Sequence, residues 1–146
     1  EEEKGKEKKE RRRKGGEEGR GRKKEIREVG NNGFPRGVDD EIENRHQRPE
    51  KYAYTEHAER NAIYNASYTG TSLDGCALYV THFPCCDCAR AIIQAGIAEV
   101  YVDKSKLTAD FLERWEQDMK ISTEMFEESG VAVKVIDDDG NTKPMK

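Results

Sequence analysis

Two short phrases carry residue types that can do chemistry. His57-Ala58-Glu59 offers an imidazole and a carboxylate, and Pro84-Cys85-Cys86-Asp87-Cys88 offers two thiols three residues apart. Cysteines at i and i+3 in the first turn of a helix project to the same side, and that end of a helix favours negative charge. Cys85 and Cys88 are therefore placed to act as two thiolates on one metal ion. With neutral His57 as the third ligand, the charge of a zinc dication is balanced. One coordination position is left for water, as catalytic rather than structural zinc sites require. Glu59 is the candidate proton carrier and catalytic residue. Its spacing from His57 is not helical, because residues i and i+2 project in nearly opposite directions. The geometry works if His57 sits at the mouth of the helix.

Each phrase has a plainer reading. A Cys-x-x-Cys is often a structural zinc clip or a redox pair, and a histidine ahead of a helix is often an ordinary cap. Both phrases in this order, with a helix and a strand between them, point to catalysis. Cys86 lies inside the second phrase but faces away from the metal, where a packing role is expected, and Cys76 reads as a small buried side chain. His82 either stacks on a bound base or orders the site from the core. His46 falls in a polar loop with no partner that the sequence identifies. The stripe of Trp115, Met119 and Phe126 reads as core.

The elements that must position these residues follow from periodicity and punctuation. Weak alternation over residues 25–29 predicts a short strand running into the Gly30-Asn31-Asn32-Gly33 turn. The connection from Phe34 to Pro49 is long for a structureless loop, which itself hints at function. A helix is predicted from about Thr55 or His57 to Tyr68, with Thr55 as a possible cap and Gly70 as the stop. Cys76 to His82 is a compact apolar strand, Cys85 to Ala95 a second helix ended by Gly96, and Ile97 to Val102 a further strand. Phe111, Leu112, Trp115, Met119, Ile121, Met125 and Phe126 recur at helical spacing within residues 109–129. Val131 to Ile136 is a last strand, and the polar residues 137–146 read as a frayed C-terminal tail. Strands alternating with helices predict an α/β layer with at least part of the sheet parallel.

Composition bounds the rest. Residues 1–24 consist of twelve basic residues, seven acidic residues and five glycines. With no apolar side chain to bury, this stretch is expected to be a disordered or irregular tail, leaving residues 25–136 as the folded domain. The tail carries +5 and the whole chain −4, so residues 25–146 carry −9. A body that acidic is a poor match for the backbone of a long nucleic acid, whereas a small anionic substrate held by one or two local cations fits. No apolar run is long enough to span a bilayer, so neither a membrane partner nor a secretory signal is expected and the protein is placed in the cytoplasm. Four cysteines, three of them within residues 85–88, suit metal binding in a reducing compartment better than a disulfide framework.

The H-x-E phrase followed by P-C-x-x-C is the signature of zinc deaminases. Beyond it, the chain resembles the deoxycytidylate (dCMP) deaminase family over residues 25–136. The likeness is carried by Gly30-Asn31-Asn32-Gly33-Phe34-Pro35-Arg36-Gly37, His57-Ala58-Glu59-Arg60-Asn61-Ala62-Ile63, Tyr79-Val80-Thr81-His82-Phe83-Pro84-Cys85 and Ala91-Ile92-Ile93-Gln94-Ala95-Gly96-Ile97. It implies a three-layer cytidine-deaminase-like fold, with a mixed sheet of about four to five strands flanked by helices. It also implies Zn2+ held by His57, Cys85 and Cys88, and hydrolysis of dCMP to dUMP and ammonia. Asn32 maps to the family's sugar-contacting asparagine, with Ala58 and His82 among the further substrate contacts, and Asn61 is expected to brace the site. Arg36 is a candidate for the phosphate or an ordinary solvated arginine. The resemblance further implies a homo-oligomer, hexamer or dimer, and possible dCTP and dTTP effectors. A deaminase of another cytosine nucleotide or nucleoside, or of a nucleic-acid base, is the rival reading, and a non-catalytic zinc-stabilised binding module the other. Family members also carry a hydrophobic strand inside the sheet where this chain has its charged N-terminal stretch. Either that stretch fits badly into the slot, or a partner chain supplies the strand, or the natural N-terminus differs.

Overall fold

The computed structural model describes residues 9–13 and 26–145. Six strands, β1 (Lys9–Arg13), β2 (Ile26–Gly30), β3 (Cys76–Val80), β4 (Glu99–Asp103), β5 (Ala132–Ile136) and β6 (Thr142–Pro144), form one mixed sheet in the order β2-β1-β3-β4-β5-β6. Strands β3, β4 and β5 are parallel, with Leu78 beside Val100 and Val100 beside Val133. The other pairs are antiparallel. Four helices accompany the sheet: α1 (Glu50–Tyr54), α2 (Ala58–Thr69), α3 (Cys86–Gln94) and α4 (Ala109–Ser129). Helices α3 and α4 are the crossovers that parallel strands require. Thr108 opens α4 by accepting the Phe111 N–H, and Gly130, at φ 82°, closes it in the left-handed conformation that favours glycine.

Alternation along β3 and β4 sends Leu78, Val80, Val100 and Val102 into one core with Ala66 of α2, Ala89 and Ile92 of α3, and Phe126 of α4. Residues of opposite phase line the other face, where Tyr79 stacks on Tyr101 at 4.7 Å and Lys134 Nζ lies 3.0 Å from Glu99 Oε2. The predicted mixed α/β sheet is thus present, with one strand more than expected. Helices α2, α3 and α4 share a single core with the sheet.

Two expectations about the ends change. Within the stretch read as an irregular tail, Lys9–Arg13 forms β1, with Arg11 paired to Glu28 of β2 on one side and Leu78 of β3 on the other. The rest of that stretch lies outside the described residues. The physical reason is that β2 and β3 each present a row of backbone donors and acceptors that must be met, and a ladder is made by backbone whatever the side chains. After Asp137 the chain does not fray. The Asp137 carboxylate accepts the N–H groups of Asp139 at 3.0 Å and Asn141 at 2.9 Å, turning the chain back so that Thr142 pairs with Ile136. The Asp-Asp-Asp-Gly-Asn run was the signal for such a turn. The long connection before α2 holds a 3-10 turn at Glu43–His46 and the short α1.

Helix α2 lies tightly on β2. A Cβ at Gly30 would meet the Ala58 carbonyl oxygen and come within 2.5 Å of Ala62 N and 2.8 Å of Ala62 Cβ. All three are backbone or near-backbone atoms that cannot swing aside. Gly30→Ala is therefore expected to lower stability by about 2 kcal/mol or more. It should also disturb the turn that follows, seen as a lower melting temperature together with weaker metal binding.

Candidate metal centre and cleft

Two helix starts converge beyond the carboxyl end of β3. His57 is the N-cap residue of α2 (φ −70°, ψ 149°) and Cys85 the N-cap residue of α3 (φ −70°, ψ 170°). Both are extended, so His57 stands outside the helix whose first turn holds Glu59. This is the arrangement at the helix mouth that the His-x-Glu spacing required. Cys88 completes the first turn of α3, and its N–H donates to Cys85 Sγ at 3.4 Å. The His57 Nδ1 atom lies 3.3 Å from Cys88 Sγ and 3.5 Å from Cys85 Sγ. All three donor atoms fall within 4.8 Å of one another, and among the described residues no other group of His, Cys, Asp and Glu gathers in this way.

A cleft of about 290 Å³ opens over these atoms. His57, Cys85, Glu59 and Asn32 line it, and Glu59 is only 5% exposed. Arg48, Tyr52, His82, Phe111, Arg114 and Trp115 also line it. Of the residues expected at the site, Asn32 is held beside His57: its Oδ1 accepts the Ala58 N–H at 2.7 Å, meeting one of the donors that a helix start leaves unpaired. Ala58 itself is fully buried, with that N–H committed to Asn32. His82 lines the cleft and lies against Phe111, ring centroids 5.4 Å apart. Asn61 braces the turn as expected, its Nδ2 donating to the Asn31 carbonyl at 2.8 Å, while Gly33 and Glu56 exchange two backbone hydrogen bonds.

Arg36 is not brought to this cleft. It donates to Asn65 Oδ1 at 2.5 Å and stacks its guanidinium 4.3 Å above the Tyr68 ring, in a second groove that Asn32 also lines. Arg48 and Arg114 are the cations in the cleft, and nothing in the spacing of the sequence marked Arg48. For α4 a signal existed: Phe111, Trp115 and Met119 lie at i, i+4 and i+8, a single row. The whole stripe was assigned to core, yet Phe126 alone is fully buried and Trp115 remains 46% exposed because it faces the cleft. Cys86 turns from the metal donors toward α4, and His46 stacks on Phe34 at 4.9 Å.

The family description "Cytidine and deoxycytidylate deaminase zinc-binding region" matches residues 22–104. The chain belongs to this family. Its members named among the relatives are deaminases, which are hydrolytic enzymes. An uncharacterized deaminase of Aliivibrio fischeri is 46% identical over 108 residues, covering 74% of this chain and 69% of that protein. Human deoxycytidylate deaminase is 42% identical over 92 residues, covering 56% of this chain and 51% of the human protein, so the chain spans about half the length of that relative. The crystal structure of the dCMP deaminase of cyanophage S-TIM5 in complex with dCMP and dUMP superimposes with a TM-score of 0.59 at 25% identity, covering 88% of this chain and 79% of that one.

The metal of this deaminase family is zinc, and the donor set fits it. A tetrahedral ion with ordinary zinc–nitrogen and zinc–sulfur bonds places the nitrogen about 3.6 Å from each sulfur, against the 3.3 and 3.5 Å found. Without metal, the deaminase's two sulfurs differ in acidity. The hydrogen bond from the Cys88 thiol, followed by that from His57, pulls Cys85 down to about 4, and the same bond together with burial pushes Cys88 up. His57 is raised by its contact with Cys85. The site is thus already built around negative sulfur, the charge a dication neutralises.

A direct consequence concerns the metal-free protein at pH 6. The folded-state pKa of Cys85 is depressed, so its contribution to stability is present above the ordinary thiol range, near 8.5. That contribution is lost as the pH falls through about 4. At pH 6, iodoacetamide is therefore expected to alkylate Cys85 before the other cysteines, and zinc to protect it. Mass spectrometry of the peptides checks both; alkylation beginning at Cys88 would contradict the assignment.

Proposed function

We propose that the protein is a zinc-dependent hydrolase that removes the amino group from C4 of dCMP, giving dUMP and ammonia. The observation that carries this reading is the convergence of His57 Nδ1, Cys85 Sγ and Cys88 Sγ beneath a cleft that also holds the buried Glu59. Support for the nucleotide comes from the S-TIM5 structure with dCMP and dUMP and from the human relative. A cleft near 290 Å³ lies at the small end of small-molecule sites, and no helix among the described residues is long and apolar enough to cross a membrane. A free nucleotide substrate suits an enzyme working on the cytoplasmic pool.

His57, Cys85 and Cys88 would hold the ion, which when bound would supply a water acidic enough to act as nucleophile at neutral pH. In the hydrolysis, the oxygen of a water bonds to C4 and the bond from C4 to the exocyclic amine breaks. Glu59 moves the protons: it accepts one from the water and gives it to ring N3, then takes the second from the new C4 hydroxyl and passes it to the departing amine. Asn32 contacts the sugar and holds the start of α2. His82, Phe111 and Trp115 exclude water and offer faces against which a pyrimidine can lie.

The 5′-phosphate falls to Arg48 and Arg114, the two cations of the cleft, rather than to Arg36. Charge-assisted hydrogen bonds of this kind contribute about 1.5–3 kcal/mol. Arg114→Ala and Arg48→Ala are each expected to lower kcat/KM for dCMP roughly tenfold or more, leaving deoxycytidine nearly unaffected, while Arg36→Ala changes neither. Ammonia release from dCMP, CMP, deoxycytidine and cytidine tests the proposal, which fails if dCMP is not the preferred substrate.

A further inference from the structure

The zinc-binding turn is held from outside by a residue that belongs to neither phrase. Asp118, on α4, lines the cleft and reaches the start of α3, where its Oδ2 accepts the backbone N–H of Cys86 at 3.2 Å. Its Oδ1 accepts the Cys86 thiol at 2.5 Å. Cys86 sits between the two sulfur donors in sequence. The first turn of α3 has N–H groups with no partner inside the helix. Within that turn, Cys88 N–H goes to Cys85 Sγ and Cys86 N–H goes to Asp118, so one end of the turn is fixed by a ligand and the other by the carboxylate.

We propose that Asp118 is a positioning residue for the metal site: it fixes the Cys85–Cys88 turn through Cys86 and thereby ties that turn to α4. The inference rests on the reading of His57, Cys85 and Cys88 as zinc ligands. Asp118 touches neither those donor atoms nor, in this assignment, the reacting atoms. Its helix also carries Phe111, Arg114 and Trp115, so the wall of the cleft and the metal turn share one rigid support. Helix α4 packs along α3 through partly buried Met119 and Met125 and buried Phe126. The carboxylate is the polar fastening at the end of an otherwise apolar contact. A negative group at this helix start is also favoured by the helix dipole.

The test measures zinc affinity by competition with a chromophoric chelator, and the visible spectrum of the cobalt(II)-substituted protein, for wild type, Asp118→Ala and Asp118→Asn. Loss of a group that orients metal ligands typically weakens metal binding about 10–100-fold. Asp118→Ala is expected to fall in that range with altered cobalt bands. Asp118→Asn keeps the size and one acceptor for the Cys86 N–H, so it should recover most of the affinity while retaining a shifted spectrum. A residue that merely stabilises the fold would lower the melting temperature of both metal-free and loaded protein and leave the cobalt spectrum unchanged, and that outcome overturns the proposal. Should Asp118→Ala fail to fold, Asp118→Asn decides alone: wild-type affinity with a wild-type spectrum ends the idea. A wild-type protein that binds no zinc, or a Cys88→Ala protein that binds it normally, would instead fail the reading of the ligands, which the Asp118 variants do not touch.

Discussion

Glu59→Gln is expected to lower kcat for dCMP by about 10²–10⁴ while the zinc content stays that of the wild type. The carboxylate is 5% exposed, in the first turn of α2, two residues past a histidine that stands outside the helix as its cap. Glutamine has the same shape and can still hydrogen-bond, so packing and the start of α2 are preserved. It cannot accept a proton from water and return it to ring N3. The loss should therefore appear in kcat with little change in KM, since binding of the substrate in its ground state does not depend on the transfer. Single-turnover ammonia release with metal analysis on the same samples measures both. A Glu59→Gln protein that turns over at the normal rate removes Glu59 from the mechanism, whatever its zinc content.

The parts of the fold that could be read from the sequence share a cause. Local signals for β3, α3 and β4 all agree: a compact apolar strand, two cysteines and a small-residue helix stopped by a glycine, then a second apolar strand. The grouping of His57, Cys85 and Cys88 follows because its members sit at helix starts, where side-chain type and capping position are linked in sequence. What escaped depends on partners distant along the chain. Nothing in Lys-Glu-Arg-Arg-Arg announces a strand, since β1 exists through the demands of β2 and β3 on either side of it. Arg48 and Arg114 reach the cleft from a loop and from a helix that crosses over the sheet, so no spacing relates them to His57. Arg36 looked suitable because it is close in sequence to Asn32, yet the turn that brings Asn32 inward carries Arg36 outward to Asn65 and Tyr68. Trp115 was assigned to the core because helical periodicity reports which residues share a face, not whether that face meets protein or ligand.

Cys88→Ala tests the other half of the site, with the largest expected effect on the metal itself. Cys88 is fully buried, whereas Cys85 is partly exposed at the cleft. Removing the Cys88 sulfur leaves one thiolate and one imidazole, one donor short of the three protein ligands that a catalytic zinc site uses. The variant is expected to purify with little or no zinc and to release no ammonia from dCMP. Stability supplies an independent reading, because a ligand that binds only the folded chain raises stability by about 4 kcal/mol when present at a thousand times its dissociation constant. Treating the wild type with a chelator should therefore lower its melting temperature substantially. The same treatment should leave Cys88→Ala unmoved, since it has no ion to lose. Cys76→Ala is the control. That cysteine is equally buried, in β3 within the apolar core, but it is not among the three gathered donors. It should lose packing and keep its zinc, its chelator response and its turnover. If Cys88→Ala instead binds zinc and responds to the chelator like the wild type, the two helix starts do not share a metal and the chemistry must be sought elsewhere in the molecule.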